Sequence, residues 1–99
     1  MRLEIFEKES PKFTTKEEVA VARIFTSFQN NEETQTVRYV LSENPEAFSD
    51  NPLVSEAMNK MENALPLLLV DNEIMMIGAY PDMEAMADLT GLTFQDLDN

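Results

Sequence analysis

Leu65-Pro66-Leu67-Leu68-Leu69-Val70-Asp71-Asn72-Glu73-Ile74-Met75-Met76-Ile77-Gly78 is the stretch whose reading decides the fold. Two apolar runs flank Asp71-Asn72, and asparagine tolerates the left-handed backbone that a tight hairpin turn requires. The stretch therefore reads as a β-hairpin. Both arms are apolar at consecutive positions, which predicts a sheet covered on both faces rather than one with a wet side. Pro66 stands at the first residue of its strand, where a missing N–H removes no ladder bond. Gly78 closes the second arm.

Upstream, Asn51-Pro52 places an N-cap residue before a proline at the first helical position. Val54, Ala57, Met58, Met61 and Leu65 then follow at helical spacing. Asn44-Pro45 reads as an irregular link. Before it, Thr36-Val37-Arg38-Tyr39-Val40-Leu41 is rich in β-branched and aromatic residues, as strands are. Thr14 and Thr15 each have a glutamate three residues on, Glu17 and Glu18, which is the capping-box spacing. Val21, Ile24, Phe25 and Phe28 form one apolar helix face behind them, ending in the polar run 29–33. Arg2-Leu3-Glu4-Ile5-Phe6 alternates as a short strand does. Downstream, Pro81-Asp82 begins a last short helix with Met83, Met86 and Ala87 inward, and Gly91 is the expected stop. Residues 1–92 are expected to form one domain and 93–99 an acidic C-terminal tail.

The order is β-α-β-α-β-β-α. A β-α-β unit with a right-handed crossover, then a hairpin and a closing helix, is the thioredoxin-like arrangement. The expected fold class is α/β, with a mixed four-stranded sheet and helices on both faces. Folds of this kind carry a cis-proline just before the third strand, so a cis Leu65–Pro66 bond is expected, with Pro66 in a structural role.

Composition removes most chemistry. The 99 residues contain no cysteine and no histidine. That excludes disulfides, thiolate redox couples, Cys- or His-ligated metals and any imidazole base. The two glycines leave no glycine-rich phosphate loop, and no nucleophile motif is present. A hydrophobic content of 43% is enough for one modest core. Seven basic against nineteen acidic residues leave a net charge of −12, which disfavours contact with nucleic acid. The N-terminus shows no targeting signal and no apolar run approaches a membrane span. A cytoplasmic protein without membrane association is expected, with no cofactor, no metal site and no catalytic residues.

The run from Leu65 to Glu73, continued through Gly78-Ala79-Tyr80-Pro81, resembles the arsenical-resistance protein ArsD family. That family has a similar Leu-Pro-Leu-Leu-Leu strand, an acidic turn and a Gly-x-Tyr-Pro lead into the last helix. The likeness extends through Tyr39-Val40-Leu41, Pro45, Phe48 and Asn51, the first strand at Phe6-Glu7, and Leu89 to Leu92. It implies a homodimeric regulator in an arsenic-response operon. Members act as weak trans-acting repressors, with DNA as partner, and as chaperones handing As(III) to an ATPase pump. The resemblance also implies that cysteine thiolates in the loop after the first strand hold As(III) or Sb(III). Here that stretch, Glu7-Lys8-Glu9-Ser10-Pro11-Lys12-Phe13-Thr14, has no thiol. Soft As(III) is poorly served by carboxylate or hydroxyl, so no metalloid-binding residue carries over.

Binding residues concentrate on loops held by a rigid frame. Ser10, Pro11, Lys12 and Phe13 are therefore the candidate partner-binding residues, although Phe13 could instead pack under the first helix as a hydrophobic staple. The methionines read as core gap-fillers rather than soft-metal ligands. Paired carboxylates such as Glu17-Glu18 lack calcium-loop spacing and read as solvated surface. Three functions are open on these grounds. The first is an ArsD-like regulator without thiol-based chaperoning. The second is an acidic protein-binding module engaging a basic partner or mimicking nucleic acid. The third is transferase chemistry through a glutathione site beside Pro66.

Overall fold

In the computed structural model, which describes residues 1–28 and 32–90, the Asp71-Asn72 turn sits at the middle of the hairpin. Both residues take positive φ, +50° and +64°, joining β3 (Leu67–Val70) to β4 (Glu73–Ile77). The Asp71 carboxylate accepts a hydrogen bond from the Arg2 N–H at 2.8 Å, which ties the turn to the first strand.

That strand, β1 (Arg2–Glu7), lies between β3 and β2 (Gln35–Val40), giving the sheet order β2-β1-β3-β4. β1 runs parallel to β2 and antiparallel to β3, and β3 is antiparallel to β4. The sheet is mixed and four-stranded, as expected. A parallel pair needs a long crossover, supplied by α1 (Lys16–Ser27). The helix α4 (Met83–Thr90) packs beside α1.

The sheet divides two cores. Leu3, Ile5, Leu68 and Val70 face Val21, Ile24 and Phe28 of the α1 side. Phe6, Leu67 and Leu69 face Val54 and Ala57 of α3 (Pro52–Lys60) and Phe48 of α2 (Pro45–Asp50). Strand side chains alternate between faces, so a central strand covered on both sides buries successive positions, as β1 does from Leu3 to Glu7 and β3 does throughout. That two-sided cover explains the Leu67-Leu68-Leu69-Val70 run, every residue of which is buried.

Four expectations are corrected. The link after Asn44 is a helix, α2, with Pro45 in its first turn, where proline's missing N–H is an orphan anyway. β4 is not covered on both faces: it is an edge strand with a register shift opposite Leu68 and Leu69, and Ile74 and Met75 are exposed. Met61, read as inward, is the exposed C-cap residue of α3. Leu65 lies beyond that helix, half-buried against the α3-side core. Met58 and Met76 do pack against the two cores. The inward placement expected of the Met83 and Met86 side chains, the stop at Gly91 and the tail 93–99 lie outside what the structure describes.

Capping follows the sequence closely. The Asn51 side chain accepts from the N–H groups of Leu53 and Val54 at 3.0 and 3.4 Å, starting α3. The Leu65–Pro66 peptide bond is cis. Gly78 (φ +78°) donates its N–H to the carbonyls of Ala64 and Pro66 at 3.0 and 2.9 Å.

Candidate functional site

The loop after β1, residues 8–15, leaves the sheet at its buried carboxylate. Glu7 is 1% exposed, and a carboxylate taken from water needs several donors to offset lost hydration. Two side chains supply them. The Arg38 guanidinium, from the neighbouring parallel strand, donates through Nε and Nη2 to the two carboxylate oxygens. The Tyr80 hydroxyl donates to Oε2. The site thus joins the end of β1, the middle of β2 and the segment between β4 and α4. Burial raises the Tyr80 pKa well above its ordinary value, and the Glu7 carboxylate beside it raises it further. The phenol stays protonated and donating.

Arg38 also supports aromatic rings. Its guanidinium carbon stands 5.7 Å from the centroid of Phe25 on α1 and 5.8 Å from that of Phe13 in the loop. Both distances lie within cation–π reach. Arg38 is therefore a post, anchored below on Glu7 and carrying the Phe13 ring.

A second anchor comes from α1. Thr15 is the N-cap, accepting from the Glu18 N–H at 3.1 Å, so of the two threonines it is Thr15 that caps. The Glu18 carboxylate then turns back over the loop. It accepts from the N–H groups of Lys12 and Phe13 at 2.9 and 3.3 Å and from the hydroxyls of Thr14 and Thr15 at 3.4 and 3.0 Å. Burial works against the charged form of Glu18, but these hydrogen bonds outweigh it and hold the carboxyl below its usual range. Contrary to its reading as solvated surface, Glu18 is a loop anchor.

The four sequence-selected residues lie together on this strap. Ser10, Lys12 and Phe13 are exposed and Pro11 is half-buried. Phe13 is 52% exposed with φ +57°, so it does not pack under α1 as a staple. The loop meets the segment before Pro66 at Lys8, which shares a hollow of about 180 Å³ with Leu41, Met58, Met61 and Leu65. Glu7, Arg38 and Tyr80 were missed as a unit. Two signals pointed to them: a glutamate directly after the apolar pair Ile5-Phe6 at the end of the first strand, and the tyrosine of Gly78-Ala79-Tyr80-Pro81. Among the described residues no group of three or more acidic side chains is placed to hold a metal ion.

The family model described as "Arsenical resistance operon protein ArsD" matches residues 3–99. The chain belongs to the ArsD family. A solved structure, the arsenical resistance operon trans-acting repressor from Bacteroides vulgatus, is 25% identical and is covered over 93% of each chain with a TM-score of 0.77. No curated protein matches this member of the ArsD family. The loop of this ArsD family member is cysteine-free, as is the whole chain. It is held by the Glu18 carboxylate and flanked by the Arg38 guanidinium. Among the described residues no helix is long and apolar enough to cross a membrane.

Proposed function

We propose that this chain is a trans-acting regulator of an arsenical-resistance operon that works in the cytoplasm, as a homodimer, through binding alone. Membership of the ArsD family and likeness to a repressor support the regulatory reading. The single observation that shapes the rest is chemical. Thiolates are what soft As(III) requires, and the chain has none. On this reading it does not carry As(III) or Sb(III) to a pump, and it acts by binding rather than by catalysis.

Ser10, Pro11, Lys12 and Phe13 serve as the partner-binding surface. The loop is held by Glu18 and Arg38 rather than left to order on binding, which lowers the entropy cost of association. Contact with operator DNA, if direct, must come from a local cluster of the seven basic side chains working against a net charge of −12, and the number of phosphates they neutralise sets its salt dependence.

Two experiments test this reading. Equilibrium dialysis against arsenite should leave no bound arsenic on the protein; stoichiometric retention would refute the thiol-free reading. A gel-shift titration with the DNA upstream of its own gene should show a complex at low salt. Absence of any shift there would remove the repressor role. It would leave the second reading, an acidic module acting on a basic protein partner, which the −12 charge favours.

A further inference from the structure

We propose that the strap from Lys8 to Lys16, with Phe13 at its tip, docks an acidic protein segment carrying an apolar side chain. This rests on the reading of the loop as the partner-binding surface and adds the chemistry of what binds there.

The first observation is the presentation of Phe13. A non-glycine residue at φ +57° is disfavoured by about 1–2 kcal/mol, and here the strain leaves a large apolar ring 52% exposed. The Glu18 carboxylate fixes the backbone through the Lys12 and Phe13 N–H groups. Arg38, tethered to buried Glu7, lies beside the ring. A rigid, exposed aromatic held in place before binding is the usual form of an interface anchor.

The second observation is independent of the first and concerns charge. Residues 8–16 contain Lys8, Lys12 and Lys16 against Glu9 alone, a local charge of +2, whereas the rest of the chain carries −14. All three lysines are exposed. The strap is thus a cationic island on a strongly acidic molecule.

Its size selects the partner. The Glu18 carboxylate bound to the strap reduces its +2 to +1. Charges beyond about 8 Å are screened at physiological salt, so a short segment lying across Lys8 and Lys12 meets this small positive balance rather than the whole acidic surface. A long polyanion such as duplex DNA extends past the island and meets the acidic surface as well. The arrangement therefore fits a short acidic protein segment, with its apolar side chain on Phe13 and its carboxylates on Lys8 and Lys12.

The test is an NMR titration of the 15N-labelled full chain with three synthetic peptides of equal length. Each has a central leucine flanked by glutamates, glutamines or lysines. The glutamate peptide should move the amides of residues 8–16, with affinity falling about tenfold from about 50 to about 300 mM salt. The double variant Lys8→Gln/Lys12→Gln should weaken it several-fold while the spectrum of the folded core is kept. Phe13→Ala should weaken it comparably. If the glutamine peptide binds the strap as well as the glutamate peptide, the acidic chemistry is wrong although the loop remains the docking surface. If no peptide moves residues 8–16, the docking surface itself is wrong. If a DNA duplex moves those amides more than the glutamate peptide does, the partner class is nucleic acid and the inference is overturned.

Discussion

The Tyr80 hydroxyl donates a hydrogen bond to the carboxylate of Glu7, a residue 73 positions earlier in the chain. Through Glu7 that bond joins the segment before α4 to Arg38 and, through Arg38, to the Phe13 ring. A buried carboxylate that loses a donor retains the cost of its burial without full compensation. Tyr80→Phe should therefore destabilise the fold by about 1–2 kcal/mol, and Arg38→Met by about 3 kcal/mol. Urea unfolding measures both. Equal small losses from the two variants would show that Glu7 does not depend on them.

Alkaline titration probes the same bond. Burial, then the Glu7 carboxylate, raises the Tyr80 pKa in the folded protein above that of the unfolded chain. The stabilisation from the neutral phenol is thus complete below about pH 10, the unfolded value. It is lost as pH rises from there toward the folded value. Stability of the wild type should fall steeply above about pH 10, and Tyr80→Phe should show a shallower fall. An ultraviolet titration of the two tyrosines should also lose its late component in that variant.

The Glu18 clamp should be acid-labile. Its pKa is lowered on folding, by hydrogen bonds that outweigh burial. Its contribution is therefore present above the ordinary carboxylate value and lost as pH falls through the lower folded one. Protection of the Lys12 and Phe13 amides, relative to the unstructured exchange rate at the same pH, should fall on acidification below about pH 4. At neutral pH, Glu18→Ala should speed the same amides by about tenfold and leave protection in β1 and β3 unchanged. Hydrogen-exchange mass spectrometry reads both effects.

How far the sequence announced these contacts differed from element to element. Leu67-Leu68-Leu69-Val70 and Asp71-Asn72 were legible because an interior strand and a tight turn leave local signatures. Asn51-Pro52 and Thr15-Glu18 were legible for the same reason, since caps are set within three residues. β4 was misread because Ile74-Met75-Met76-Ile77 is as apolar as an interior strand. Sheet order, a property of the whole chain, decided which strand stood at the edge. The Glu7–Arg38–Tyr80 cluster was invisible to spacing arguments: its members are separated by 31 and 73 positions and meet only once the sheet has formed. The loop was legible as a segment that stands clear of the core, yet the staple alternative for Phe13 failed because Glu18 fixes the backbone at that position and the ring lies outward beside Arg38.

Gly78 offers a test of the turn that sets Tyr80. It takes φ +78°, and a Cβ there would come within 2.7 Å of the Asn63 carbonyl oxygen. Backbone cannot retreat as a flexible side chain can. Gly78→Ala should cost about 1–3 kcal/mol, measured by thermal unfolding, and should loosen the Tyr80 hydroxyl contact with Glu7. A neutral substitution would mean that the segment shifts freely.

The most direct test of a thiol-free regulator is a reporter fused to the DNA upstream of its gene, read with and without the protein and with and without arsenite in the medium. The protein should lower reporter output, Phe13→Ala should weaken that effect, and added arsenite should change neither result. Relief of repression by arsenite acting on this cysteine-free chain, or no effect of the protein at all, would contradict the account.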